Sequence, residues 1–128
     1  MDITPELRNG KYYTGKYTEP NEYRGWFCGT FMEEGHPGKT DKMEVKYAMH
    51  QKGEIEKSHY HKVMIEILIF LEGKAKVKIN NDEFIVSGGD FFFADRNNII
   101  SVEYLEPSKI FALHSPSLTE EESDEVTL

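Results

Sequence analysis

The stretch from Gly53 to Gly73 constrains this chain more than any other part of its sequence. It places His59, His61 and Glu66 within eight residues, in sequence that otherwise has the pattern of β-strands. Side chains at positions i and i+2 of a strand point to the same face, about 6–7 Å apart. The two imidazoles can therefore converge on one ion or one small molecule.

Glu66 follows a short loop at residues 62–65 and can reach the histidine pair in two ways. If the flanking strands pair as a hairpin, Glu66 lies opposite His61 on the same face. If the second strand instead crosses to a facing sheet, Glu66 must point inward to meet the pair. Both arrangements bring a carboxylate to two imidazoles.

The same stretch resembles the first signature motif of the cupin superfamily. That motif is a glycine, five residues, His-x-His, three or four residues, a glutamate, six residues and a second glycine. Here Gly53, His59, His61, Glu66 and Gly73 fill every fixed position, with four residues before the glutamate. The resemblance implies an all-β, single-domain, cupin-type double-stranded β-helix, that is, a jelly-roll barrel with a metal site inside it.

The second cupin motif, which would supply a further histidine, is degraded in this sequence. Counted from Gly89, Asp95 stands at the motif's proline, Asn97 at its glycine, Ile100 at its histidine and Tyr104 at its asparagine. Asn97 can adopt the left-handed conformation that the glycine would supply. Ile100 cannot ligate anything, so the fourth ligand is missing from its family position.

His114, on the last long strand, is a candidate replacement for that ligand. A lone histidine on an apolar strand face is more often a packed, hydrogen-bonded residue. Three ligands can also suffice, because two histidines and one carboxylate form the facial triad of non-haem iron sites. The expected cofactor is a divalent transition metal, Fe, Zn, Ni or Mn, held by His59, His61, Glu66 and, as a candidate fourth ligand, His114.

The pattern along the rest of the chain predicts an antiparallel sandwich or barrel, because short strands follow one another at turn-like spacing. Residues 42–50 alternate cleanly between an apolar and a polar face. The polar face carries His50, which counts against His50 as a site residue. We expect an N-terminal edge segment at 1–24 with a strand or two, a barrel at 25–118, and a mobile acidic tail at 119–128.

One strand is apolar on both faces, which predicts that both are buried. Ile65, Ile67, Ile69 and Leu71 lie on the face opposite Glu66, and the N-terminal segment or a second subunit could cover them. We expect a homodimer, the commonest symmetric assembly. Cys28 and the run Phe91–Phe93 are expected in the core.

Composition excludes several classes of partner. A net charge of −8 argues against nucleic acid, and no apolar run approaches the roughly 20 residues that span a membrane. Cys28 is the single cysteine and cannot form an internal disulfide, so a reducing, cytoplasmic setting is the expectation. The expected partner is a small-molecule ligand.

Three functions remain open, since a fold does not fix a function. In the first, a metal ion polarises a small molecule or activates oxygen. The second is a metal-free sugar-nucleotide epimerase or isomerase, with His61 (or His59) as base and Tyr104 as a candidate acid. The sequence shows no arginine-rich surface that suits its substrate. The third is a non-catalytic ligand-binding barrel. A mostly apolar pocket is expected, lined by Leu68, Phe70, Val77, Ile100, Val102 and Tyr104.

Overall fold

A computed structural model of the chain describes residues 10–119, 122 and 124–128. Within these residues the regular structure is β-strand, without an α-helix, and therefore without a helix that could cross a membrane. The ten strands are β1 (Trp26–Cys28), β2 (Glu44–His50), β3 (Ile55–His61), β4 (Ile65–Glu72), β5 (Lys74–Ile79), β6 (Asp82–Ser87), β7 (Phe91–Ala94), β8 (Ile100–Tyr104), β9 (Ser108–Ser115) and β10 (Glu125–Thr127).

The strands form two five-stranded antiparallel sheets, in the orders β1-β2-β9-β4-β7 and β10-β3-β8-β5-β6. Apart from the pairs β1–β2 and β5–β6, each strand is followed by a strand of the other sheet. This repeated crossing is the jelly-roll arrangement. The predicted all-β, cupin-type double-stranded β-helix is confirmed.

The barrel interior divides into an apolar part and a polar end. The registers of β2, β9, β4 and β7 place Glu44, His114, Glu66 and Ala94 in one row at the polar end. Beyond that row the interior becomes a hydrophobic core built by both sheets. Its buried members are Leu68, Phe70, Ala75, Val77, Val86, Phe92, Ala94, Ile100, Val102, Tyr104, Ile110 and Ala112. Removing one large member such as Phe70 would cost about 3–5 kcal/mol.

Both motif glycines lie in turns with a left-handed backbone. Gly53 has φ +92° and Gly73 has φ +102°, a region that side chains with a Cβ rarely enter. Gly73 is also packed tightly, because an added Cβ would lie 2.6 Å from the Pro107 carbonyl oxygen and would contact Ser108. The turn between β4 and β5 therefore requires glycine for two reasons.

The N-terminal segment differs from the expectation of edge strands. Residues 10–25 contain turns but no strand, because their sequence offers turn residues without sustained alternation. Tyr17 packs instead on Tyr47 and Phe111, with ring centroids 5.0 and 4.7 Å away. Part of the outer face of the first sheet is covered in this way. Residues 1–9 lie outside the described residues.

The predicted alternation in β2 is present, but its polar face does not point away from the barrel. The polar face, which carries Glu44, Lys46 and His50, is the one that faces the barrel interior, whereas Met49 is 68% exposed. The interior beside β2 is polar because the site lies there. The run Phe91–Phe93 also differs from expectation, since only Phe92 is buried.

The end of the chain is not a solvated tail. Residues 125–127 form β10, which pairs with β3, and Asp124 is only 3% exposed. Its carboxylate accepts backbone hydrogen bonds, which offset the cost of burying a charge. Residues 120, 121 and 123 lie outside the described part of the chain.

Candidate metal centre

Three strands from both sheets supply the side chains of the site. His59 and His61 project from β3, Glu66 from β4 and His114 from β9. Because β3 and β4 belong to different sheets, the loop between them crosses the barrel, and Glu66 meets the histidines by pointing inward. Of the two arrangements considered from sequence, the structure has the crossing one.

Three imidazole nitrogens converge on one carboxylate oxygen. The Nε2 atoms of His59, His61 and His114 lie 3.9, 3.3 and 3.6 Å from Glu66 Oε2. This oxygen is buried and has no hydrogen-bond partner among the described residues. A buried polar atom without a partner is costly, so its retention beside three nitrogens needs an explanation.

The spacing of the His59, His61 and Glu66 atoms suits a shared ion, and His114 lies outside that group of three. Two ligands bound at about 2.1 Å from a metal, at a tetrahedral angle, lie about 3.4 Å apart. The distances from the three nitrogens to the oxygen bracket that value. The ligand atoms of His59, His61 and Glu66 all lie within 4.8 Å of one another.

The second nitrogen of each histidine is held by an acceptor outside the cluster. His59 Nδ1 lies 2.8 Å from the Lys57 carbonyl oxygen. His61 Nδ1 lies 3.3 Å from Asp124 Oδ1, and His114 Nδ1 lies 3.2 Å from Glu44 Oε2. Such acceptors fix the tautomer in which Nδ1 carries the proton and Nε2 is free to ligate.

The three histidines and Glu66 shift one another's pKa values in opposite directions. The Glu66 carboxylate raises the pKa of His59 to about 9. Burial lowers the pKa of His114, but Glu44 and Glu66 raise it to about 9. Burial alone would raise the pKa of Glu66, yet His114, His59 and His61 hold it well below its usual range. Without a metal ion, an ionised carboxylate is therefore surrounded by protonated imidazoles.

A cavity of about 450 Å³ opens beside these residues. It is more polar than expected, since of the six side chains predicted to line it only Leu68 does. The other five pack in the hydrophobic core. The charged or ionisable lining consists of Lys46, Glu56, Lys57, His59, His61, Glu66, His114 and Glu125.

A larger groove, of about 760 Å³, lies on the other side of the first sheet. It runs between the N-terminal segment and the outer face, and its lining is mainly aromatic, with Tyr13, Tyr17, Tyr23, Trp26, Phe27 and Phe111. It does not contain the histidine–carboxylate cluster. The smaller, polar cavity is therefore the candidate functional site.

Tyr104, Ile100 and Asn97, which the second motif singled out, do not line the cavity. Tyr104 is fully buried, donates a hydrogen bond to Glu56 Oε1 over 3.3 Å and does not line the cavity. Burial and the neighbouring Glu56 raise the pKa of its hydroxyl, which makes it a poor proton donor. Ile100, on β8, is in the core and pairs with His59 of β3. Asn97 has the expected positive φ, 68°.

Sequence reasoning missed four carboxylates around the site. Glu44 and Asp124 contact Nδ1 of His114 and His61, whereas Glu56 and Glu125 line the cavity. Burial and the nearby Glu66 raise the pKa of Glu56. Glu44 could have been found from the sequence, because it shares the alternating face of β2 with His50. Asp124 could not, because the acidic run around it has the composition of a solvated chain end.

Comparison with known proteins agrees with this geometry. A family model described as "Cupin domain" matches residues 46–103. Over these residues, somewhat less than half of its length, the chain is similar to cupin domains. The matched part includes His59, His61 and Glu66 but stops before His114 and β10. A search of curated proteins found no match.

Several solved structures share the fold with this chain. KdgF from Halomonas sp. has 24% identity and a TM-score of 0.59, covering 62% of this chain and 74% of its own. A double-stranded β-helix protein from Klebsiella pneumoniae has 16% identity and a TM-score of 0.61, with coverages of 87% and 90%. A putative sugar phosphate isomerase from Acidithiobacillus ferrooxidans has 19% identity and a TM-score of 0.54, with coverages of 58% and 50%.

Proposed function

We propose that this cupin binds one divalent transition-metal ion through Nε2 of His59, His61 and His114 and the carboxylate of Glu66. The observation that carries the proposal is the buried Glu66 Oε2, which has three imidazole nitrogens within 3.9 Å and no hydrogen-bond partner among the described residues. A set of three nitrogens and one oxygen suits Zn, Fe, Ni or Mn. His114 would replace the histidine that the second motif lacks.

The ligand that fits the cavity is a small anion with oxygen donors, such as a hydroxy-carboxylate. Lys46 and Lys57 line the cavity together with Glu56, Glu66 and Glu125. Lys46, Lys57 and a bound divalent ion are the positive charges that line the loaded cavity, and they would attract the oxygen atoms of an anion. When bound, the ion supplies a Lewis acid that polarises a coordinated oxygen.

Glu56 is the residue best suited to move a proton in this cavity. Its carboxyl group is partly buried, lines the cavity and accepts a hydrogen bond from the Tyr104 hydroxyl over 3.3 Å. Its pKa is raised by burial and by Glu66, which brings the group closer to the range useful for acid–base catalysis near neutral pH.

The proposal is tested by metal titration of chelator-treated protein with Mn²⁺, Fe²⁺ (without oxygen), Ni²⁺ and Zn²⁺. We expect one ion per chain for at least one cation, and an affinity at least ~100-fold lower in Glu66→Gln. His36→Ala is the matched control, because His36 lies in a loop outside the cluster and should leave the affinity unchanged. If none of the four cations binds, or Glu66→Gln binds as tightly as wild type, the proposal is wrong.

A metal-free sugar isomerase is the second candidate. Glu56 favours it, because a buried carboxyl group in the cavity could transfer protons without an ion. The similarity to a putative sugar phosphate isomerase supports the fold alone. Thermal shifts separate the two: hydroxy-carboxylates should stabilise the metal-loaded chain, whereas sugar nucleotides that stabilise the metal-free chain would favour the isomerase.

A further inference from the structure

The C-terminal strand β10 contacts the site although it lies far from the motif in sequence. Its register against β3 places Glu125 opposite His61 and Thr127 opposite His59. Both Glu125 and Thr127 line the cavity, and Glu125 Oε1 lies 3.8 Å from His59 Nε2. The end of the chain therefore forms one side of the candidate metal site.

Asp124, directly before β10, holds two parts of the site at once. Its Oδ1 lies 3.3 Å from His61 Nδ1. Its Oδ2 accepts hydrogen bonds from the backbone N–H groups of Val63 and Met64, over 2.6 and 2.8 Å. These two residues belong to the loop that leads from His61 to Glu66. One buried carboxylate thus fixes the ring of one ligand and the path of the chain to the next.

The attachment of this segment is local. β10 has three residues and lies at the edge of its sheet, where it pairs with β3. Further backbone bonds run from Lys62 N to Asp124 O and from Leu128 N to Ser58 O. Because a strand of this length buries little apolar surface, it can separate from the barrel at lower free energy than the central strands.

We propose that segment 124–128 is a detachable part of the metal site, in which Asp124 is a positioning residue for His61 and β10 closes the cavity. Docking of the segment sets the affinity for the ion, and its release exposes the ion to solvent. This inference rests on the proposed function and adds a means of regulating the same site.

The first test compares Asp124→Ala and Asp124→Asn with wild type, using the cation that wild type takes up in the titration above. We expect about 10–100-fold weaker binding for Asp124→Ala, and a smaller loss for Asp124→Asn, which keeps an acceptor for Nδ1–H. Glu122→Ala is the matched control. Glu122 is exposed, and its carboxylate accepts hydrogen bonds only from nearby Thr119 among the described residues.

A spectroscopic measurement separates positioning from a general loss of structure. At a pH high enough to leave His61 neutral, nitrogen-15 NMR should find it protonated at Nδ1 in the metal-free wild type and as a mixture of tautomers in metal-free Asp124→Ala. A merely structural role would leave the tautomer unchanged. The folded state of each variant is checked by circular dichroism.

The second test removes the segment by ending the chain after Thr119. Transfer of the ion to an added chelator should become at least ~10-fold faster, because the cavity loses one side. If this shortened chain does not fold, the Asp124 variants still decide the question. Wild-type affinity and an unchanged tautomer in Asp124→Ala would overturn the inference, whereas absence of metal binding in wild type would overturn the proposed function instead.

Discussion

Glu66 presents a buried carboxylate oxygen to three imidazole nitrogens, and among the described residues that oxygen accepts no hydrogen bond. His59, His61 and Glu66 could be predicted from sequence, because the motif fixes their spacing and strand periodicity fixes their face. His114 could be named only as a candidate. Its approach to Glu66 depends on the pairing of β9 with β4, and the sequence of a single strand does not determine such a register.

His114 gives the first residue-scale prediction. Replacing it by alanine should weaken metal binding by at least ~10-fold, since one of four ligands is lost and Glu44 is left buried without its imidazole partner. The measurement is a competition titration against a chelator of known affinity. His50→Ala is a suitable comparison, because His50 also faces the interior but lies outside the cluster; equal affinity of His114→Ala and wild type would exclude His114 as a ligand.

The pKa shifts give a second prediction, that metal binding strengthens as pH rises. In the metal-free chain the pKa values of His59 and His114 are about 9, so both are protonated near neutral pH. An ion binds only the deprotonated nitrogens, so uptake releases protons. Calorimetry in buffers of different ionisation enthalpy, from about pH 6 to about pH 9, counts the protons. A metal affinity that stays constant across this pH range would contradict the protonation of His59 and His114 in the metal-free chain.

The folding stability of the metal-free chain should instead fall as pH rises. A pKa raised in the folded state contributes stability that is fully present below the unfolded value, about 6.5, and is lost as pH rises through the folded value. Thermal unfolding temperatures of the metal-free chain should therefore fall between about pH 6.5 and about pH 9. Glu66→Gln should flatten this dependence, because the amide does not attract the imidazolium groups.

Among the elements, those with strong periodicity were predictable and the three-residue β10 was not. The alternation of residues 42–50 predicted β2 but not which face lies inside, because a polar cavity reverses the usual rule that the apolar face is inside. The three residues of β10 are too few for periodicity to show. Their place is set by Asp124, directly before them, and by the edge of β3, which is distant from them in sequence.

The two motif glycines give a prediction at the scale of the element. Gly53→Ala should cost about 1–2 kcal/mol, for the positive φ alone, because nothing lies within 4 Å of the added Cβ. Gly73→Ala should cost more than about 3 kcal/mol, since its Cβ would also overlap the Pro107 carbonyl and Ser108. Chemical denaturation of both variants provides the comparison. Equal losses would mean that close packing at Gly73 does not matter.

At the scale of the whole molecule, the outer face of β4 and β7 remains exposed. Ile69, Phe91 and Phe93 are 42%, 67% and 52% exposed, and they are neighbours in the paired register of the two strands. The N-terminal segment covers a different part of this sheet, around Phe111. Adjacent exposed apolar side chains of this size commonly mark a protein interface.

We predict that this face joins two copies of the chain in a homodimer. Phe93→Lys should shift the mass measured by light scattering from dimer to monomer, because a buried charge without a partner is costly. Met49→Lys is the control, since Met49 is also exposed but lies on β2 of the same sheet, away from β7. A monomeric wild type, or a dimeric Phe93→Lys, would contradict the prediction.

Elemental analysis tests the metal centre most directly. The protein would be purified without chelators or a histidine tag, beside a His61→Ala variant, and both would be examined for transition metals by mass spectrometry. We expect about one transition-metal ion per wild-type chain and a large loss in His61→Ala. A wild-type chain that contains no metal, and takes none up from Mn²⁺, Fe²⁺, Ni²⁺ or Zn²⁺, would contradict the assignment of this site as a metal centre.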